Sequence, residues 1–134
     1  MAKILIADDD DDMVEICSRL LSRKGHELLV ARNAEAAVRT ATTEHPDLIL
    51  MDMRMPAADA GKVSDRAGLD ATTRLKADPS TANIPVIALT GHTMHKWKEA
   101  VLAAGCAELL DKPIVDFSIL LGAIDRNMKR KGAE

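Results

Sequence analysis

The residues best suited to chemistry are acidic and gathered in one place. Asp8 to Asp12 form an unbroken run of five carboxylates in a chain of 134 residues whose net charge is only −3, so the remainder is slightly basic. Such a run admits two readings. It can be a solvated cap on a following helix, or a cation site, since carboxylates held together resist ionisation unless positive charge sits among them. Other residues bear on the choice. Asp52 closes the apolar run Leu48 to Met51, Thr90 closes Val86 to Leu89, and Asp111-Lys112 ends the run from Glu108. If these runs are strands whose carboxyl ends share one rim of a sheet, Asp8, Asp9 and Asp52 meet the Thr90 hydroxyl and the Lys112 ammonium there. One Mg²⁺ together with Lys112 would balance three carboxylates. Ligation by oxygen alone suits Mg²⁺ better than zinc, and none of the four histidines belongs to the cluster. Asp52 and Lys112 at matching strand ends favour the cation site over the solvated cap.

The rest of the chain supplies the elements that would hold those strand ends. Lys3 to Asp8 reads as a buried strand. Met13, Ile16, Cys17, Leu20 and Leu21 recur at helical spacing, with Gly25 placed to stop the helix. Glu27 to Ala31 is a second strand, and Asn33 an N-cap for a helix burying Ala34, Ala37, Val38 and Ala41. Pro46 ends that connection before a third strand, Asp47 to Asp52. Ala57 to Ser64 has no convincing periodicity and reads as loop, with helix resuming near Leu69 and running through Leu75. A fourth strand follows Pro85. Met94, Trp97, Val101 and Leu102 share one face of the next helix, closed by Gly105. Glu108 to Asp111 is a fifth strand, and Asp116 caps a last helix using Phe117, Leu120, Leu121, Ile124 and Met128. Five β-α units with strands this apolar predict an α/β protein, a parallel sheet covered by helices on both faces, folded as one domain over residues 1–134.

Composition narrows the function classes. Trp97 and Phe117 are the only aromatic side chains, so base stacking is unavailable to a nucleic-acid-binding surface. The short basic cluster Arg126 to Lys131 is expected to complement a helix C-terminus. No apolar run approaches the length of a bilayer span and the N-terminus lacks the pattern of a signal peptide, which predicts a cytoplasmic protein with no membrane partner. Cys17 and Cys106 match no metal or redox spacing and read as small core hydrophobes.

Four segments then occur in order on the predicted strands: KILIADD (Lys3 to Asp9), DLILMDMRMP (Asp47 to Pro56), PVIALTG (Pro85 to Gly91) and GCAELLDKP (Gly105 to Pro113). Over essentially its whole length the chain resembles the receiver domain of bacterial two-component response regulators. The resemblance implies a flavodoxin-like (βα)5 fold, a doubly wound five-stranded parallel sheet of order 2-1-3-4-5. It implies that Asp52 is a phosphoacceptor, taking a phosphoryl group from a phosphohistidine of a sensor histidine kinase or a histidine phosphotransfer protein. Asp9, Asp52 and the backbone carbonyl of Arg54 would bind Mg²⁺ directly, Asp8 directly or through water, with Mn²⁺ as a substitute. Lys112 would pair with the phosphoryl oxygens, its link to Pro113 being a cis peptide in relatives. The Thr90 hydroxyl would bond the phosphoryl group, and Gly91 would leave room for the donor. Within the acidic run, Asp8 and Asp9 are favoured as ligands over Asp10, and Asp11 or Asp12 is expected to cap the first helix.

Phosphorylation would then pull Thr90 inward and shift the face made by the fourth helix, fifth strand and fifth helix, which would bind a downstream protein. The resemblance implies a protein that catalyses only its own phosphorylation and dephosphorylation, a monomer or weak homodimer. Because the chain ends soon after its fifth helix, output by protein contact is expected if it is complete; it could equally be the receiver of a hybrid histidine kinase. Two departures from the family pattern stand out. The usual Pro-x-x-Asp-Gly is interrupted, Asp65 to Leu69 resembling its displaced continuation after an insertion near Ala57 to Ser64, either a surface extension or a partial lid. Leu109 occupies a position where many receivers carry Tyr or Phe, so the signal would rely on helix and loop displacement, unless Leu109 is simply a core or interface residue. His92 and Arg54 flank the site and could tune water access, or be merely solvated. A haloacid-dehalogenase-type phosphatase also uses a strand-end Asp and Mg²⁺, but it needs a second Asp two residues later, where this chain has Arg54.

Overall fold

Each apolar run becomes a strand, and the helical repeats fall between them. The computed structural model describes residues 2–59, 61–91, 97–112 and 114–133, of 129–133 the backbone only. In chain order the elements are β1 (Lys3–Ala7), α1 (Asp11–Arg23), β2 (Glu27–Ala31), α2 (Ala34–Glu44), β3 (Leu48–Asp52), β4 (Met55–Pro56), β5 (Val63–Ser64), α3 (Ala67–Ala77), β6 (Val86–Thr90), α4 (Lys98–Ala103), β7 (Glu108–Asp111) and α5 (Phe117–Ala133). Five strands form one parallel sheet in the order β2-β1-β3-β6-β7. This is the expected 2-1-3-4-5 order once the short pair β4 and β5, a separate antiparallel hairpin, is set aside.

Strand alternation divides the core between the two faces of the sheet. Leu5, Ala7, Ile49, Met51, Val86 and Ala88 pack against α2, α3 and α4. Ile4, Ile6, Leu48, Leu50, Ile87 and Leu89 pack against α1 and α5. Burying an aliphatic side chain of this size stabilises the fold by about 1.5–3 kcal/mol. On α2 the buried positions are alanines, Ala34, Ala37 and Ala41, so that helix can lie close to the sheet.

The helix ends follow local chemistry. Gly25 (φ 83°) lets the amides of Gly25 and His26 bond the carbonyls of Ser22 and Leu21, closing α1. The Asn33 side chain accepts from the Ala36 amide at 2.7 Å, and the Asp116 side chain from the Ser118 amide at 3.0 Å, as expected of both caps. On α1 the cap is Asp10, whose carboxylate accepts from the Asp12 amide at 3.0 Å, rather than Asp11 or Asp12. Asp11 instead pairs with Arg32.

Other expectations are corrected. Ile16 and Leu102 are 40% and 42% exposed, because the stripes that face the sheet are narrower: Met13, Val14, Cys17 and Leu21 on α1, Val101 on α4. Met94 lies outside the described residues, and Trp97, half-buried, stands at the N-terminal boundary of α4. Helix α3 begins at Ala67, before Leu69. The segment read as unstructured loop ends in a strand: Val63 and Ser64 pair with Pro56 and Met55. Of the basic cluster, Arg126 lies well inside α5 and bonds Glu108 at 2.7 Å, while Lys129, Arg130 and Lys131 fall near the C-terminal end of that helix as expected.

Candidate functional site

The carboxyl ends of β1, β3, β6 and β7 lie side by side, and the polar residues that close them meet there. The Asp8 amide donates to the Ala31 carbonyl at 3.0 Å, carrying β1's pairing with β2 one residue further and fixing the Asp8 side chain, which is fully buried. Asp52, 5% exposed, ends β3 opposite Leu89. The Lys112 amide donates to the Thr90 carbonyl at 2.6 Å, so the lysine enters from just past β7. Its Nζ lies 3.0 Å from Asp8 Oδ2 and 3.2 Å from Asp52 Oδ2. Each carboxylate's other oxygen takes a backbone amide two residues on, Asp8 Oδ1 from Asp10 at 2.9 Å and Asp52 Oδ1 from Arg54 at 3.1 Å. Asp9 is exposed at the rim.

These contacts place two buried carboxylates against a single ammonium. Burial, and then the negative charge of Asp8, push the Asp52 carboxyl up to about 7, against the opposing pull of Lys112. Burial alone would lower Lys112, but Asp52 and Asp8 together hold it above its ordinary value, so it is an ammonium. The cluster is short of positive charge. Carboxylate oxygens of Asp8, Asp9 and Asp52 lie within 4.8 Å of one another. Three hard oxygen donors without nitrogen or sulfur suit Mg²⁺, and the uncompensated charge supplies the attraction. Cys17 lies beneath them, its thiol raised to about 12 by burial and by Asp8, so it is no nucleophile.

Thr90 is buried at the end of β6, its hydroxyl 3.5 Å from Asp111 Oδ1. A cavity of about 210 Å³ opens over the cluster, lined by Asp9, Asp52, Arg54, Gly91 and Lys112. A Cβ at Gly91 would meet nothing within 4 Å, so glycine there leaves the mouth of the cleft clear. Leu109 is partly buried against the core on the β7 side, paired with Ala88. His92 and Pro113, and with Pro113 the expected cis peptide, lie outside the described residues.

Two residues of the displaced continuation, Asp65 to Leu69, take on contacts that the sequence pattern did not assign to them. Gly68 carries α3 against the end of β3, its amide donating to the Met53 carbonyl at 3.1 Å. Asp65, just past the hairpin, accepts from Arg54 Nε at 2.9 Å. A glycine just ahead of the helical pattern that begins near Leu69 was the available signal for the first. A surface ion pair spanning an irregular insertion leaves no signal of its own.

Comparison with known proteins follows the same lines. Residues 4–125 match the response regulator receiver domain family. The chain is similar to the polar-differentiation response regulator DivK of Brucella ovis, 32% identical over 111 residues that cover 83% of this chain and 84% of that one. It superposes on the receiver domain of a sensor histidine kinase from Pseudomonas aeruginosa with a TM-score of 0.81 and 27% identity, covering 96% of this chain and 98% of that one; that domain has a magnesium ion coordinated in its active site cleft. A Francisella response regulator receiver domain superposes with a TM-score of 0.81 and 25% identity, covering 97% and 98%.

Proposed function

The chain belongs to the response regulator receiver domain family of two-component signalling, and from that premise we propose that Asp52 is its phosphoacceptor, charged by a phosphohistidine on a histidine kinase or a histidine phosphotransfer protein. The observation that carries this reading is the Lys112 ammonium, 3.0 Å from Asp8 and 3.2 Å from Asp52 at the floor of an open cleft. In its ionised form the Asp52 carboxylate attacks phosphorus, the P–N bond to the imidazole breaks, and the ring nitrogen leaves with the electron pair; the product is an acyl phosphate. The Arg54 amide on Oδ1 fixes the direction in which the carboxylate faces. Lys112 stays beside it and meets the negative charge of the phosphoryl oxygens.

The donor set fits Mg²⁺, which would be held by Asp8, Asp9, Asp52 and the backbone carbonyl of Arg54; Mn²⁺, with similar ligand preferences, would substitute. When bound, the ion neutralises charge on the transferring group. Thr90 reports the change: its long contact to Asp111 is exchanged for a phosphoryl oxygen, and the displacement passes to α4, β7 and α5, the face offered to a downstream protein. On this reading the chain acts catalytically only on itself, and it works in the cytoplasm. Among the described residues no helix is long and apolar enough to cross a membrane.

Incubation with Mg²⁺ and acetyl phosphate tests the assignment. One hydroxylamine-sensitive phosphoryl group is expected, absent from Asp52→Asn. Incorporation that persists in that variant overturns it, and steady turnover of a phosphomonoester would speak for a phosphatase instead.

A further inference from the structure

The cleft over Asp52 is lined by two described cations, Lys112 and Arg54. Lys112 is committed to Asp8 and Asp52. The Arg54 guanidinium is paired with an acid that is not among the cleft's lining residues, its Nε 2.9 Å from Asp65 Oδ1. We propose that Asp65 is a positioning residue: it draws the Arg54 guanidinium off the cleft and so restrains the affinity of the site for small anionic phosphodonors. This rests on the phosphoacceptor reading of Asp52.

The two ends of the pair are held differently. Asp65 stands where the hairpin puts it, eleven positions after Arg54 but returned beside it by the pairing of Met55 with Ser64. The next residue, Arg66, has its amide on Ser64 Oγ at 3.1 Å and its guanidinium over the Trp97 ring, 5.3 Å from the centroid. The acid is therefore anchored from both sides. Arg54 is held through its backbone by the amide that bonds Asp52 Oδ1, and among the described residues Asp65 is the partner of its side chain. Its side chain, 63% exposed, extends from a backbone position two residues past the phosphoacceptor.

The pair itself lies in water, with side chains 63% and 58% exposed, where ion pairs are weakly held. A phosphoryl group entering the cleft carries more negative charge than one carboxylate and offers several oxygens to a guanidinium fork. It is a competitor for Arg54, and Asp65 sets the terms of the competition. Removing the Asp65 charge hands Arg54 to the donor.

Acetyl phosphate with Mg²⁺ is the probe. The P–O bond to the acetyl carboxylate breaks, acetate leaves with the electron pair, and the bond from Asp52 to phosphorus forms. In Asp65→Asn the half-saturating donor concentration should fall by about threefold, the scale of a solvent-exposed ion pair, while the rate at saturation stays within the error of wild type. Asp65→Glu should restore the wild-type value. In an Arg54→Ala background, Asp65→Asn should change nothing further. A wild-type protein that never acquires a phosphoryl group at Asp52 refutes the phosphoacceptor reading. A wild-type protein that does, with half-saturation unchanged or raised in Asp65→Asn, or lowered equally without Arg54, overturns the role of Asp65 alone.

Discussion

Gly68 stands so close to Asp52 that a Cβ added to it would lie 2.2 Å from the Asp52 carbonyl oxygen and 2.6 Å from the Met53 Cα. Both neighbours are backbone, one at the last residue of β3, which carries the Asp52 carboxylate, and one just past it. The first turn of α3 thus rests directly on β3, tied by the bond from the Gly68 amide to the Met53 carbonyl at 3.1 Å. The hairpin can be inserted between them because it leaves and returns at this contact.

Replacing Gly68 by alanine therefore cannot be absorbed by a rotamer change. Overpacking of this kind costs about 1–3 kcal/mol, and the rigid neighbours put Gly68→Ala at the upper end, about 3 kcal/mol, despite alanine's better helix propensity. The urea midpoint checks it. A midpoint equal to wild type would mean that α3 can lift off β3 freely, contrary to the contact described.

The acidic run offers a second test, because identical residues do different work. Asp10 caps α1 through the Asp12 amide, whereas Asp12 is exposed in the first turn. In metal-free buffer Asp10→Ala should lower stability by about 1 kcal/mol. Asp12→Ala removes only a favourable charge near the helix N-terminus, about 0.3–1 kcal/mol at low salt, and adding salt should shrink that loss but not the loss at Asp10. Urea titrations at two ionic strengths separate them; equal, salt-sensitive losses would move the cap elsewhere.

Asp8, Asp52, Thr90 and Lys112 were legible in the sequence for one physical reason. A parallel strand buried on both faces is apolar throughout, so a polar residue closing it marks the rim where ligands bind. The cap on α1 was not legible, since nothing local distinguishes Asp10 from Asp11 or Asp12 until the strand's end fixes the phase. The β4–β5 pair was missed because two-residue strands have no measurable period. Ile16 and Leu102 looked like core because helical spacing identifies a stripe but not its width. The Arg54–Asp65 pair depends on how the hairpin returns, a fact of tertiary structure that no spacing encodes.

The charge imbalance at the site predicts how pH and Mg²⁺ act together. Asp52 is raised from an ordinary 3.8 to about 7 by burial and by Asp8. Between those values the folded protein keeps a proton that the unfolded chain releases, so protonation favours the fold. The contribution is fully present below about pH 4, declines as pH rises through the window, and is gone above about 7, with a slope of at most about 1.4 kcal/mol per pH unit inside it. Metal-free wild type should therefore lose stability relative to Asp52→Asn between pH 5 and 8. The difference isolates this group from every other titration. Mg²⁺ must displace the same proton, so its affinity should climb with pH and level off above 7, restoring stability where the metal-free protein is weakest. Urea unfolding with and without Mg²⁺ at pH 5, 6, 7 and 8 measures both. A wild-type curve parallel to that of Asp52→Asn, with Mg²⁺ stabilising equally at pH 5 and pH 8, would show that the two carboxylates do not compete for one ammonium.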